Sequence, residues 1–199
     1  AMLAAARRRG TELGLSNVDY RVINAERIAL DDDSVDGVLC RFGYMLMPDP
    51  AAAFAETRRV LRQGGRVALA VWGAMERNPW IAIAGISLAQ RGHIPPPPPP
   101  PAPGPFSMAS AERVEGLLRE AGFTEVRLEE VHGRFVVADA DHYLGLIGDT
   151  AGPVGLALQG LGEYKRTAVR ADVEDALRRF AVDGGGYELP CVALCAVAS

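Results

Sequence analysis

The stretch that decides the fold is residues 31–72, DDDSVDGVLCRFGYMLMPDPAAAFAETRRVLRQGGRVALAVW. Its apolar run at 35–42 predicts a short strand. The Asp-Pro pair at 49–50 is a typical helix start, because the carboxylate caps free amides and proline is tolerated at the first helical position. The Gly-Gly pair at 64–65 is expected to end this helix. Residues 66–72 are apolar after the first arginine, as in a parallel strand covered on both faces. Strand, helix and strand in this order form one repeat of an open α/β sheet.

The flanking segments extend this alternation of strands and helices. The spacing of Val18, Tyr20 and Val22 predicts a half-buried strand, and Ser110 is expected to cap a helix that ends at Gly122. Further helices are expected at 2–13, 78–91 and 139–182, and further strands at 123–131 and 187–198. Together these elements predict a single domain over residues 1–199, with a parallel sheet and helices on both faces.

Length, charge and cysteine content limit the classes of function. A chain of 199 residues suits one domain, and a net charge of −4 gives no electrostatic reason to expect nucleic acid or an anionic membrane as partner. The longest apolar runs are too short to span a bilayer. Cys40, Cys191 and Cys195 form neither a disulfide framework nor a CxxC pair, so reduced thiols and a cytoplasmic location are expected. The acidic run at 31–33 is expected to be a solvated turn rather than a metal site.

Two segments are expected to connect and cover the sheet. Residues 92–106 form a proline-rich connection with seven consecutive prolines, Pro95 to Pro101, and such a run predicts a polyproline II spacer of roughly 20 Å. An SH3-type ligand is the alternative for this run, and an expanded lid connection is preferred. Residues 139–182 are expected to form a helical lid or insertion, because apolar residues recur there at helical spacing.

The 31–72 stretch resembles class I S-adenosylmethionine (SAM)-dependent methyltransferases, in the type 11 branch related to ubiquinone and menaquinone C-methyltransferases. SVD at 34–36 matches the entry to the family's fourth strand. RVLRQGGR at 59–66 matches its turn into strand five, with glutamine where proline is usual. AGF at 121–123 resembles the lead-in to strand six, and Trp72 with NPW at 78–80 resembles a marker of a subgroup that acts on small molecules. The implied fold is a Rossmann-like methyltransferase sheet.

The resemblance implies one wall of a SAM site and part of an acceptor pocket. The implied cofactor-binding residues are Asn24, Ala25 and Glu26 beside adenine, and Cys40, Arg41 and Phe42 beside the methionine part, all at carboxyl ends of strands. The substrate-binding candidates are Tyr44, Met45, Trp72, Asn78 and Trp80. Local alternatives stay open, since Asn24 could cap a turn and methionine or aromatic residues could belong to the core. No catalytic residue is assigned, because transfer from a sulfonium needs alignment, and needs a base only when the acceptor loses a proton.

Two departures from the family pattern reduce the expected affinity for the cofactor. The sequence has no glycine-rich turn after a first strand and no second strand ending in an acidic residue, so an N-terminally truncated sheet is expected, with strands one and two missing. In the family's strand order, 3-2-1-4-5-7-6, this exposes the inner edge of strand four to a homodimer or to strand complementation. Asn24 stands where the family has aspartate, and it accepts a hydrogen bond without charge. We therefore expect weak SAM binding, or none, by this chain.

Two functional hypotheses follow from these patterns. The first is SAM-dependent methyl transfer to the oxygen, nitrogen or carbon of a small-molecule acceptor, with this chain as the C-terminal part of the methyltransferase. The alternative is a non-catalytic binding or assembly protein with a methyltransferase-like fold. A dehydrogenase of the NAD type is disfavoured, because the sequence has no GxGxxG and its Gly-Gly turn lies between a helix and a strand.

Overall fold

The structure is a computed structural model that describes residues 2–97 and 99–199. Within these residues the helices and strands follow in the order α1 (Met2–Glu12), β1 (Val35–Arg41), α2 (Pro50–Val60), β2 (Leu61–Trp72), α3 (Pro79–Gln90), α4 (Ala111–Glu120), β3 (Val126–Val137), α5 (Ala140–Thr150), α6 (Gly152–Gln159), α7 (Glu163–Leu177) and β4 (Tyr187–Ala198). Short 3-10 turns lie at Tyr44–Leu46, Met75–Arg77 and Arg178–Phe180. The predicted helix caps at Asp49 and Ser110 are confirmed, since their side chains accept from the amides of Ala52 and Arg113.

The strands form one mixed sheet in the order β1-β2-β4-β3. β1 and β2 are parallel, whereas β4 is antiparallel to both β2 and β3. The prediction of a parallel sheet is therefore wrong for two of these three pairings. The reason lies in the chain path: β3 ends at Val137, and the three helices that follow return the chain to Tyr187, directly beside that end. The observed order corresponds to strands 4-5-7-6 of the order expected from the resemblance.

Two hydrophobic cores lie on opposite sides of the sheet. The first core fills the space between the sheet and helices α2 and α4, and Phe54, Leu69, Leu118 and Leu194 are among its buried members. The second core joins α3, α5, α6 and α7 to the far ends of β3 and β4. Helices thus cover each face only in part. On the side of the first core Val136, near the end of β3, is 61% exposed, and on the other side Leu39 of β1 is 82% exposed.

Three predicted elements differ from the structure. Residues 18–22 form no strand, because no neighbouring strand pairs with them and Val22 lies exposed. The strand predicted at 123–131 is observed at Val126–Val137. The helix before the Gly-Gly pair already ends at Val60, and the two glycines belong to an irregular start of β2, where the register against β1 shifts.

The connections also differ in detail from their predictions. The helical region 139–182 is divided into α5, α6 and α7, and glycines stand at both breaks. The proline run does not continue as one polyproline II rod, because the amide of Ala102 bonds to the carbonyl of Pro99 and closes a turn. Pro98 lies outside the described residues. None of the described helices is both long and apolar enough to cross a membrane.

Candidate functional site

The carboxyl ends of β1 and β2 lie side by side. Arg41 is in register with Ala70, and the amide of Phe42 donates to the carbonyl of Ala70 at 2.8 Å. Phe42 has a φ of +58°, a left-handed conformation that a bulky residue adopts only at a local cost. A side-chain carbon on Gly43 would lie 2.6 Å from Sγ of Cys40, so a larger residue there would require the Cys40 side chain to move. The structure thus brings Cys40, Arg41 and Phe42 together at this edge, and their role in binding stays a prediction.

Four aromatic rings connect this edge to α3 and to the far end of β3. Phe42 stacks on Trp72 with ring centroids 4.0 Å apart, Trp72 meets Trp80 edge-on at 5.0 Å, and Trp80 stacks on Phe135 at 4.1 Å. The indole Nε1 of Trp80 is buried without a hydrogen-bond partner among the described residues. The sequence indicated Trp72 and Trp80 but missed Phe135, because nothing local shows that the far end of β3 reaches α3.

The 24–26 loop is held by its own side chains. Oδ1 of Asn24 accepts from the amide of Glu26 at 3.0 Å, which is the turn-capping role left open above. The carboxylate of Glu26 accepts from the amide of Asp49 at 2.9 Å, so it ties the loop to the start of α2. Ala25 packs against the first core. The loop therefore offers backbone and a small side chain to a ligand more readily than it offers the Glu26 carboxylate.

Tyr44 and Met45 lie in the first core rather than on an open surface. The hydroxyl of Tyr44 shares a 2.6 Å hydrogen bond with Thr57, and burial raises the pKa of this phenol to about 12. The carbonyl of Met45 accepts from Oγ of Ser107 at 2.6 Å. Both residues hold the loop after β1 against its neighbours, and a role in acceptor binding would need this loop to open.

Asn78 has no exposed surface and makes hydrogen bonds with both ends of its carboxamide. Nδ2 donates to the carbonyl of Gly73 at 3.2 Å, to that of Ala74 at 3.1 Å and to that of Val192 at 3.0 Å, and Oδ1 accepts from the amide of Val192 at 3.0 Å. The side chain therefore fastens the loop after β2 to β4. The sequence proposed it as an acceptor ligand, whereas the geometry gives it a structural contact across 114 residues of chain.

Two open clefts lie away from these residues. A cleft of about 450 Å³ runs along the outside of α4, lined by Ser110, Glu112, Arg113, Gly116, Leu117 and Glu120. A second cleft, of about 250 Å³, borders the start of α3, lined by Met75, Glu76, Pro79, Ala82, Ile83, Ile86 and Arg179. Neither is lined by a predicted cofactor-binding residue. Cys40, Arg41 and Phe42 thus lie outside both clefts, at the end of β1.

Comparisons with known proteins bear on what this edge is. A family model described as "Methyltransferase domain" matches residues 1–69, which include the 24–26 loop, β1 and most of β2. An uncharacterized methyltransferase of Mycobacterium tuberculosis is 40% identical over 92 residues, which are 46% of this chain and 37% of that protein. The resemblance to methyltransferases is confirmed. The ubiquinone/menaquinone biosynthesis C-methyltransferase of Methylobacterium nodulans is 39% identical over 66 residues, 33% of this chain and 26% of that protein.

Almost the entire chain also superposes on the fold of solved protein structures. The YcgJ protein of Bacillus subtilis superposes with a TM-score of 0.61 at 18% identity, covering 99% of this chain and 77% of that one. At this identity the likeness shows the fold alone. The chain spans between a quarter and two fifths of the length of the curated methyltransferases named above.

Proposed function

We propose that the chain supplies one wall of a SAM site in a methyltransferase that acts on a small-molecule acceptor. The observation that carries the proposal is the position of two segments within the region matched by the methyltransferase family, residues 1–69. The 24–26 loop and the segment Cys40–Phe42 both belong to that region, and Cys40–Phe42 lies at the carboxyl end of β1, the end at which open α/β sheets bind ligands.

The residues of these two segments fit part of a cofactor that has an adenine at one end and an amino acid at the other. Ala25 is small and packs on the first core, so a flat ring can lie against this loop without meeting a long side chain. At the other segment, Gly43 carries no side chain, so a ligand can approach the backbone beside Cys40 closely. The described residues contain no strand that ends in a glycine-rich turn into a helix, the usual cradle for the opposite side of such a ligand. We therefore propose weak but measurable affinity from these residues alone, the first of the two outcomes that the sequence left open.

When bound, SAM supplies a methyl group on a sulfonium, which a nucleophile displaces in line. The protein's part is to align the acceptor and exclude water. The half-buried, stacked rings of Phe42 and Trp72 offer an apolar surface beside the end of β1 for that purpose, and Trp80, which is 5% exposed, packs behind them. The Tyr44 hydroxyl does not suit the role of a base, because it is buried, bonded to Thr57 and has a raised pKa. No catalytic residue is assigned.

The proposal also covers the binding partners and the cellular location of the protein, which we infer from its net charge, its exposed strand edge and its thiols. The acceptor is a small molecule, and neither nucleic acid nor a membrane is proposed as partner. The outer edge of β1 offers backbone groups to a strand from a second copy, since β1 is the first strand of the described sheet and pairs there with β2 alone. Cys40, Cys191 and Cys195 are free thiols, which supports the proposed cytoplasmic location.

Titration calorimetry with S-adenosylhomocysteine tests the cofactor proposal, because this product is chemically more stable than SAM and contains the same adenosine. We expect a dissociation constant weaker than ~100 μM, a binding free energy smaller than about 5.5 kcal/mol. Adenosine should bind with a similar heat, since the 24–26 loop is the better-formed part of the site. Binding in the low micromolar range would contradict the expected weakness. No heat with either ligand at millimolar concentration would contradict the cofactor proposal.

The alternative is a non-catalytic binding or assembly protein on the same fold. It is favoured by one observation, that neither cleft named above is lined by a residue of the predicted cofactor site. The two proposals differ in a direct assay. Transfer of a radiolabelled methyl group from SAM to any small acceptor supports the enzyme. Binding of a macromolecule with an affinity that SAM does not change supports the alternative.

A further inference from the structure

An arginine on α2 grips the segment that follows the 24–26 loop. Every N–H group of the Arg59 guanidinium is used: it donates to both carboxylate oxygens of Glu56, to the carbonyl of Ile28 at 2.7 Å, to the carbonyl of Leu30 at 2.9 Å and to Asp32 at 2.6 Å. A guanidinium has five such donors, so this one is saturated. Arg59 therefore fixes the backbone carbonyls of Ile28 and Leu30, two residues apart in an irregular segment.

Glu56 completes the grip from the opposite direction. Its Oε2 accepts from the amide of Ile28 at 2.7 Å, and it lies one turn before Arg59 on the same side of α2. The amide and the carbonyl of Ile28 are thus both bound by side chains of α2. These two bonds involve only backbone atoms of Ile28. They therefore fix the position of the backbone and do not depend on the side chain at position 28.

The pair is held more firmly than an ordinary surface ion pair. The side chain of Glu56 is only 22% exposed, and the hydrogen bond from Arg59 is the main cause that lowers the pKa of Glu56 to about 2. Asp32 adds little, since its side chain is mostly exposed. A second contact to the same helix lies two residues before Ile28, where Glu26 accepts from the amide of Asp49.

We infer that Glu56 and Arg59 are positioning residues, which set the affinity of the 24–26 loop for the adenine end of the cofactor by holding Ile28 and Leu30 on α2. The inference rests on the proposed function. Neither side chain is placed in the site itself: both act through the backbone of the segment that leaves the loop.

Arg59→Lys is the decisive variant, because lysine keeps the charge but has three donors on one nitrogen and cannot replace the five hydrogen bonds of the planar guanidinium. Arg119→Lys is the matched control, since Arg119 also bonds a glutamate of its own helix, Glu115, far from the loop. Two measurements are made on the full chain: hydrogen exchange of backbone amides, and the shift of NMR resonances on titration with S-adenosylhomocysteine, which detects millimolar binding.

In Arg59→Lys we expect the amide of Glu26 to exchange at least tenfold faster, although its own partner is Asn24 and not Arg59. Amides of the first core, such as Leu69, should exchange as before, which separates loop release from global unfolding. Binding of S-adenosylhomocysteine should weaken about tenfold. Arg119→Lys should match the unmodified chain in both measurements.

Each of the following outcomes would overturn the inference or the proposed function. Faster exchange at Ile28 alone, with Glu26 unchanged, would show a purely local contact and overturn the inference. So would a released loop with unchanged ligand binding, or an Arg59→Lys variant that equals the control. If the unmodified chain shows no shift at millimolar ligand, the proposed function fails, and the role of the pair in cofactor binding fails with it.

Discussion

Asn78→Ala removes a carboxamide that has no exposed surface and that bonds both backbone groups of Val192. The carbonyl of Val192 keeps a second bond, from the amide of Gly73 at 2.9 Å, so the Val192 amide and the Gly73 carbonyl are the groups left without a partner among the described residues. A buried unpaired amide costs about 1–3 kcal/mol, and each hydrogen bond lost about 0.5–1.5 kcal/mol net. We therefore expect the free energy of unfolding to fall by about 3 kcal/mol.

Urea denaturation followed by circular dichroism measures this loss. Asn78→Asp should cost at least as much, because a carboxylate still accepts from the Val192 amide but has no proton for the carbonyls of Gly73 and Ala74. Asn24→Ala is the control: that asparagine is exposed and bonds only within its own turn, so we expect less than about 1 kcal/mol. If Asn78→Ala lost no more than Asn24→Ala, the structural role would be refuted, and Asn78 would be free to act as an acceptor ligand.

The remaining predictions concern packing, pH and a buried hydroxyl. Gly155→Ala should destabilise the fold by about 1–3 kcal/mol, because the new Cβ would lie 2.5 Å from a backbone oxygen of α5. Gly145→Ala is its control: the new Cβ meets no atom within 4 Å, and the change should stabilise the helix by about 0.5–1 kcal/mol. Thermal melting compares the two variants. The pKa of Glu56 is lowered when the chain is folded, so its contribution, on the order of 1–2 kcal/mol after solvent screening, is present above its ordinary value of 4.5 and lost as pH falls towards 2. The stability gap between the unmodified chain and Glu56→Gln should therefore close over that range in urea titrations, and a constant gap would contradict the assignment. Thr57→Val should cost about 1–3 kcal/mol in urea, because it leaves the hydroxyl of Tyr44 buried without a partner, and an unchanged midpoint would contradict this.

The sequence predicted best where the signal is local. Asp49 before proline and Ser110 before a polar turn begin helices for reasons contained within four residues, and both caps are observed. The strand β4 was also predicted closely, since its apolar run is long and bounded by three glycines. In these places the chain needs no distant partner to adopt its conformation.

The sequence predicted worst where a distant partner decides. Val18, Tyr20 and Val22 alternate as a strand does, but no strand pairs with them in the described chain. An alternating pattern shows which side chains would share a face of the sheet, but the strand forms only when a neighbouring strand pairs with it. In the same way, Asn78 meets Val192 through the antiparallel return of β4, a topology that local patterns do not contain.

The candidate site shows the same division. The position of Cys40–Phe42 at a strand end followed from the pattern of 35–42 and is observed. The burial of Tyr44 depends on Thr57 and Phe54 of α2, and the grip on Ile28 depends on Glu56 and Arg59 of the same helix. A Glu-x-x-Arg pair on one helix face was visible in the sequence, but its target, a backbone amide 28 residues earlier, was not.

The most direct test of a SAM-binding wall is a residue-resolved NMR map of the isotopically labelled chain with S-adenosylhomocysteine. Adenosine serves as the second ligand. We predict that adenosine shifts the amides of Ala25 and Glu26, and that S-adenosylhomocysteine shifts these and also Cys40–Phe42. Shifts confined to the clefts beside α3 or α4, or none at millimolar ligand, would contradict the central claim that the end of β1 and the 24–26 loop bind this cofactor.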